Sequence, residues 1–456
     1  MKKCKNVVLV LAVMFCALFV SATDVRAQEE YTREDLKEYI ISEMEGFARI
    51  IDVSNFGEAR EFDSYDDAYQ FVYECNLYVI WASRRFTFFY DYSEETDTYS
   101  IKRIIPLYVC AMEYASKADE AADKLLEGIK GNDSLTDVEK ALLIHDRLIV
   151  ACEYDEANYN IDLKVIPNVA HNGYGVLVNK IAVCDGYASA YRYLLEKVGI
   201  EADFCYSFDL NHVWNIVYID GEAYHVDVTW DDPLKDTEGF VSHKNFLVSS
   251  KMLYRMGHNT DDYDTTPDST KYDNAFWRDS QSEFQLLDGK IYYIDNDKEK
   301  LMEWDGDKHN TLCKVKDRWG KFPMANFNYS LLSNDGNNLL FSLADAVYSF
   351  DIDTKEKKLV YQPEKTSEDM DIYGFTYKDG EFICELNNEA FIYNEANAQR
   401  YTLIIKAILV AAAVIFVVII VLIIKFIKKR KKKKLLKKQA LEIIKMNEDN
   451  NSEQQE

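Results

Sequence analysis

The spacing of apolar residues changes along the chain, and each change marks a different kind of element. An unbroken apolar run covers residues 7–20. Over 31–51, Leu36, Tyr39, Ile40 and Met44 recur at helical spacing. Thr32 is placed to cap that helix, with Asp35 three residues on. Residues 79–92 are aromatic and strand-like, and 101–130 predict a mostly helical stretch. Residues 132–137 read as a turn into a helix over 138–152, capped by Thr136 or Asp137. Residues 168–182, with Gly173 and Gly175, read as a loop. The strongest helix covers 185–198. Tyr187, Ala190, Tyr191, Leu194, Leu195 and Val198 form its apolar face, and Gly199 stops it. Strand patterns follow at 202–208, 212–219 and 222–230. Helices followed by antiparallel strands give an α+β fold class.

After about residue 280 the pattern becomes one of hairpins. Asp288-Gly289, Asp335-Gly336 and Asp379-Gly380 are 47 and 44 residues apart, each flanked by strand-like segments. A period near 45 fits a propeller-blade-like unit, and three copies are too few for a closed propeller. The region 280–396 therefore reads as an all-β stack of small sheets or an incomplete propeller, serving as a spacer or a binding module.

The two ends of the chain read as membrane signals. Residues 1–27 combine Lys2, Lys3 and Lys5, a short apolar run and small-residue cleavage patterns at 20–22 and 25–27. That is a secretory signal peptide, with an uncleaved anchor as the alternative. Residues 401–424 contain an uncharged stretch from 407 onward, long enough to span the roughly 30 Å hydrocarbon core as a transmembrane helix. The tail 425–456 opens with Lys425 and the basic block 428–434, so it is expected in the cytoplasm and residues 28–400 outside the cell. Between the ends lie an N-terminal helical and aromatic region (28–130), a central domain (131–275) and the β repeats. No Leu-Pro-x-Thr-Gly sorting motif is present, so the span would do the anchoring.

Charge sharpens this picture. The net charge is −25, yet both ends are basic, so the stretch between them is more acidic than the average. Such a body repels nucleic-acid phosphate, and no nucleic-acid partner is expected. The acidic runs 261–264 and 295–307 lack the spacing of a calcium loop and read as solvated faces. Beyond the signal segment stand Cys75, Cys110, Cys152, Cys184, Cys205, Cys313 and Cys384. An odd number leaves at least one thiol without a partner, and wide spacing argues against zinc. Most are expected to be buried as small hydrophobes.

Cys184 differs, because it sits at the first turn of the strongest helix. Helix N-terminal N–H groups favour a thiolate and can also receive a developing oxyanion. The turn at Asp220-Gly221 pairs Ile219 with Glu222, which sets Trp214 opposite Asp227 and His212 opposite Thr229. His212 and Asp227 are then diagonal neighbours on one sheet face, about 7–8 Å apart at Cα. A bulge in the loop would shift that register. A carboxylate inside so apolar a strand needs a partner. The three residues together predict a catalytic triad.

The motifs carry a resemblance. They are residues 137–146, Tyr154-Asp155, Tyr174-Gly175-Val176-Leu177-Val178, Ala182-Val183-Cys184-Asp185-Gly186-Tyr187-Ala188, His212-Val213-Trp214-Asn215-Ile216-Val217, and the stretch 224–233 around Asp227. Over roughly 135–235 the chain resembles the transglutaminase-like superfamily of papain-like thiol enzymes, and more weakly upstream it resembles bacterial secreted members. The β repeats fall outside the resemblance. It implies a papain-like core with a Cys-bearing helix packed on an antiparallel sheet. It also implies Cys184 as nucleophile, His212 as general base and acid, Asp227 as orienter, and no cofactor or metal. The reaction implied is acyl transfer from a Gln carboxamide or peptide carbonyl through a thioester to an amine or water. The family includes cross-linkers, proteases, amidases and dead copies, and all three positions are intact here. Tyr174 and Asn172 stand in the preceding loop as second oxyanion donors that the sequence does not assign. His145, His171 and His225 read as structural, with His225 on the strand face away from Asp227. The expected protein is a membrane-anchored thiol acyl-transfer enzyme acting on an extracellular protein or peptide, with hydrolysis slightly preferred over cross-linking. A non-catalytic surface binding or scaffold protein is the alternative.

Overall fold

The computed structural model describes residues 31–155, 169–232, 237–258, 265–306, 308–319, 328–367 and 370–387, with Lys425, 428–432 and Lys434 near the end. The expected signal peptide and transmembrane span lie outside the described residues. The chain divides into a unit Met1–Phe391 and a unit Ile392–Glu456. The described positions of the second unit are helical. Among the described residues, no helix is long and apolar enough to cross a membrane.

Helix α1 (Arg33–Glu45) starts at a capping box. The Thr32 hydroxyl accepts the Asp35 N–H at 3.1 Å, and the Asp35 carboxylate accepts the Thr32 N–H at 2.6 Å. Leu36, Ile40 and Met44 are its buried stripe. The helix ends at Gly46, earlier than its apolar period suggests, and the chain turns into strand β1 (Ile51–Asp52). Strand β2 (Glu61–Phe62), helix α2 (Tyr65–Tyr78) and a long hairpin of β3 (Ala82–Ser93) and β4 (Thr98–Tyr108) follow. Strand β4 is central in this sheet, pairing with β1, β2 and β3. The expectation of helix over 101–130 is therefore corrected at its start. Ile101 and Ile104 are buried core residues of β4, and pairing with the aromatic β3 outweighs local helix preference. Within that stretch, the α-helix is α3 (Ser116–Leu125).

Helix α4 (Asp137–Ala151) opens at a second capping box, Thr136 with Glu139. Two short strands, β5 (Glu153–Tyr154) and β6 (Ile181–Ala182), pair in parallel. The stretch expected as a loop is more ordered than that, with a 3₁₀ turn at Val169–His171 and a wide helical turn at Gly175–Asn179. Helix α5 (Cys184–Glu196) follows. Gly199, at φ +81°, closes its C-terminal end. Strands β7 (Ala202–Ser207), β8 (His212–Ile219) and β9 (Glu222–Val226) form an antiparallel sheet in that order. Asp220 and Gly221 both have positive φ, 54° and 78°, as a type I′ hairpin requires, and Ile219 pairs with Glu222. The strand expected through residue 230 stops at Val226. Val228–Asp231 instead form a helical turn, α6, capped by Asp227, so the expected Trp214–Asp227 and His212–Thr229 pairs are not part of the ladder.

Helix α7 (Ser250–Arg255) leads to the all-β region. Strands β10 (Gln285–Leu287), β11 (Lys290–Asp295), β12 (Lys300–Asp305) and β13 (Lys308–Lys314) form one four-stranded meander. Strands β14 (Leu332–Asn334), β15 (Leu339–Ser342), β16 (Val347–Phe350) and β17 (Lys357–Tyr361) form a second. Strands β18 (Asp371–Lys378) and β19 (Glu381–Asn387) make a hairpin. Each Asp-Gly pair joins the first two strands of its sheet. The first meander is not hung from the α+β core by a linker: Ile291, Tyr293, Met302 and Trp304 share one hydrophobic cluster with Leu142 of α4 and Leu194 of α5. The acidic run 295–307 matches expectation in part, with Asp297 and Asp305 exposed. Asp295 is buried and bridged to Lys298 at 2.6 Å rather than solvated, and 261–264 lie outside the described residues.

Candidate active site

Three contacts hold α5 in place. The Tyr191 hydroxyl donates to the Ala141 carbonyl of α4 at 3.0 Å, and the Ser189 hydroxyl donates to the Leu77 carbonyl of α2 at 2.8 Å. The Asn215 amide of β8 donates to the Ala188 carbonyl at 3.0 Å. Cys184 is thereby fixed at the first helical position. Its N-cap, Val183, offers no side-chain acceptor, so the first-turn N–H groups face outward from the helix end unsatisfied within it. Gly186 permits this geometry. A Cβ there would lie 2.4 Å from the Ala170 carbonyl oxygen, so only glycine lets the 169–171 turn rest on the Cys-bearing end. Gly186→Ala is expected to cost about 1–3 kcal/mol through overpacking, read as a lower denaturant midpoint. An unchanged midpoint would refute this account of the glycine.

His212 opens β8, and its Nε2 lies 2.7 Å from Asp227 Oδ2. Asp227 is fully buried just past β9, and its Oδ1 accepts the Trp230 N–H at 3.1 Å to cap α6. The Cys184 thiol interacts with the His212 ring. Burial alone would push the His212 proton off, but the Asp227 charge and hydrogen bond, with the thiol, outweigh it and raise the imidazole to about 10. Burial pushes the Asp227 carboxyl up, and His212 and His258 more than offset this, holding it well below the usual carboxylate range. The pair is thus an imidazolium beside a carboxylate. The helical turn and diagonal approach achieve what the expected strand pairing was invoked for.

His258 was not anticipated. Its Nε2 lies 2.7 Å from the same Asp227 Oδ2, and its ring stacks on Trp230 with centroids 3.8 Å apart. Nothing in local periodicity marks a histidine 31 residues beyond Asp227, and no sequence signal reveals it. His225, expected on the strand face away from Asp227, instead pairs with Ile216 and so shares the sheet face of Trp214 and His212, because alternate residues of a strand point to one side. Its Nδ1 accepts the Trp214 indole N–H at 2.9 Å, and burial lowers it to about 3. The Trp214 ring then lies 5.5 Å from the His212 ring, nearly parallel. His171 holds Asp185, the residue after Cys184, at 2.8 Å.

A second buried cluster lies apart from these groups. His145 Nδ1 is 2.8 Å from Asp146, which also meets His243 Nε2 at 3.0 Å and accepts the Phe284 N–H at 2.7 Å. It ties α4 to the segment entering the first meander. His145–Asp146–His243 and His212–Asp227–His258 each gather potential metal ligands. In both, the ring nitrogens already share protons with carboxylates at 2.7–3.0 Å. Both loop candidates for an oxyanion donor are buried. Tyr174 packs in the main core beside Cys110 and Tyr114, and the Asn172 side-chain oxygen accepts the Gly175 N–H at 3.0 Å. Cys75 and Cys152 are buried, and burial pushes both thiols well up, as inert packing residues.

Residues 123–228 match the family model described as the transglutaminase-like superfamily, a span that takes in Cys184, His212 and Asp227. No curated protein matches the chain. Among solved structures, one described as "Crystal structure of a TGase" is similar at 13% identity and a TM-score of 0.23, covering 32% of this chain and 44% of that one. A second, described as "a Putative Cysteine Protease from Cytophaga hutchinsonii", is similar at 14% identity and a TM-score of 0.20, covering 33% of this chain and 64% of that one. The chain thus spans less than two thirds of either solved chain. Residues 123–228 form a transglutaminase-like superfamily domain within an α+β protein that carries further antiparallel sheets.

Proposed function

We propose that this protein is a thiol acyl-transfer enzyme that acts on protein or peptide amides through a thioester on Cys184. The observation that carries the reading is the meeting of Cys184, at the N-terminal end of α5, with a His212 ring that is hydrogen-bonded to Asp227. The Cys184 thiolate attacks the amide carbonyl, and the oxyanion forms where the first-turn N–H groups of α5 can receive it. His212, held as imidazolium by Asp227, gives its proton to the leaving nitrogen as the C–N bond breaks. Water or an amine then attacks the thioester while His212 takes its proton, and the thiolate leaves. Hydrolysis is the preferred outcome, because water is abundant outside a cell and no amine site stands out in the sequence. The signal-peptide pattern of 1–27 and the apolar stretch 401–424 support a cell-surface enzyme with its basic tail in the cytoplasm.

The test is alkylation of Cys184 in the purified protein as a function of pH, beside His212→Ala. Labelling at mildly acidic pH is expected to be fast in the parent and at least about tenfold slower in the variant. Slow labelling with an ordinary thiol profile in both would remove the enzyme reading and favour a binding or scaffold protein on the same fold.

A further inference from the structure

The residue after the nucleophile draws a cation from outside the matched domain. Arg84, on β3, places Nη1 3.6 Å from Asp185 Oδ2 and 3.4 Å from His171 Nδ1. Asp185 does not need it for hydrogen bonding. One carboxylate oxygen meets His171 at 2.8 Å, and the other accepts the Tyr73 hydroxyl at 3.4 Å. Arg84 balances the Asp185 charge without a direct hydrogen bond to it, and its side chain stays a third exposed. The guanidinium carries five N–H donors in a rigid fork suited to a carboxylate. It also interacts electrostatically with Cys184, which packs in one small cluster with Tyr73 and Phe86.

The surroundings extend away from that point in one direction. Beyond Arg84, alternate residues of β3 present Phe86, Phe88 and Tyr90 on one face, with successive ring centroids 6.2 and 5.8 Å apart. Tyr69 and Tyr65 of α2 lie beside them, 4.9 Å from Phe86 and 5.2 Å from Phe88. Tyr69, Tyr65 and Tyr90 are exposed. The row is continuous with the cluster around Cys184 and opens to solvent with distance from it.

We propose that Arg84 is a specificity residue that binds a carboxylate next to the reacting amide of a peptide substrate, whose apolar side chains continue along the aromatic row. This rests on the reading of Cys184 as the nucleophile. An acidic side chain, or a C-terminal carboxylate, one or two residues from the reacting carbonyl is the group that fits. The N-terminal region then supplies recognition and the matched domain supplies chemistry.

Two alkylating reagents of nearly equal size test it without a known substrate. Iodoacetate carries a carboxylate and iodoacetamide a neutral amide, and both transfer a CH₂ group to the Cys184 sulfur with loss of iodide. Their rate ratio cancels any change in the amount of thiolate, which is common to both. Arg84→Ala is expected to lower the iodoacetate-to-iodoacetamide ratio by about tenfold or more, and Arg84→Lys to keep part of it, as loss of a charge-assisted hydrogen bond predicts. A ratio that is the same in the parent and Arg84→Ala, with fast iodoacetamide labelling in both, would overturn the anion subsite and leave the nucleophile intact. If the parent labels with iodoacetamide no faster than the unfolded chain, the nucleophile reading itself fails and the subsite falls with it.

Discussion

Cys184→Ala is expected to abolish acyl transfer, lowering kcat/KM by about 10³-fold or more, while the fold persists. The size of the effect follows from the covalent route. Without sulfur no thioester forms, and the oxyanion site and the substrate cleft are left to stabilise direct attack by water. The fold should survive because Cys184 is half-buried, so truncation removes one sulfur at the margin of a small cluster. Hydrolysis or amine incorporation measured on a peptide mixture, together with the thermal midpoint, checks both halves. Activity retained in the variant would exclude Cys184 as nucleophile. Tight partner binding that survives it, with no turnover in the parent, would point to the scaffold reading.

The second large effect is expected at Asp227. One carboxylate there receives His212 and His258 on the same oxygen and caps α6 with the other. Asp227→Ala leaves the buried His212 imidazolium without its counter-charge and His258 without this acceptor, which should cost about 3–5 kcal/mol of stability. Asp227→Asn keeps the size and an acceptor for the cap but not the charge. It should therefore fold better than the alanine variant and still lose about 10²–10⁴-fold in kcat. The pH dependence separates the charge from the packing. Asp227 has a lowered folded pKa, so its stabilisation is present above the unfolded value of about 3.9 and is lost as pH falls below it. His212 has a raised folded pKa, so its stabilisation is full below about 6.5 and is lost as pH rises towards about 10. The stability gap between the parent and Asp227→Asn should be widest between those two unfolded values and should narrow on either side. A gap independent of pH would mean that the carboxylate acts through packing alone.

Arg84 and His258 illustrate how the site exceeds its motif. Arg84 reaches Asp185 from β3, and His258 reaches Asp227 from just after α7, both from chain positions outside residues 123–228. Neither sits in a pattern that local reading can detect, because each takes its place from a neighbour far away in sequence.

The elements whose signals are local were legible from the residues. Thr32 and Thr136 mark helix starts, because a cap needs only the next three residues. Asp220-Gly221, Asp288-Gly289 and Asp379-Gly380 mark hairpins, because positive φ is a property of the turn itself. Cys184 at a helix start, and His212 on the neighbouring strand, follow from the same kind of information. Two features needed the tertiary structure. Strand β4 reads locally as helix, because its isoleucines choose a strand only when β3 is there to pair with. Asp227 was placed on a strand, because nothing local shows that its carboxylate, drawn in by two histidines and the Trp230 N–H, ends β9 and starts a helical turn. Local signals in the chain mark the residues proposed for the chemistry and most of the elements that hold them. The packing of distant segments decided the environment, since burial, shared hydrogen bonds and the charge at Asp227 and Arg84 depend on groups that meet only in the folded chain.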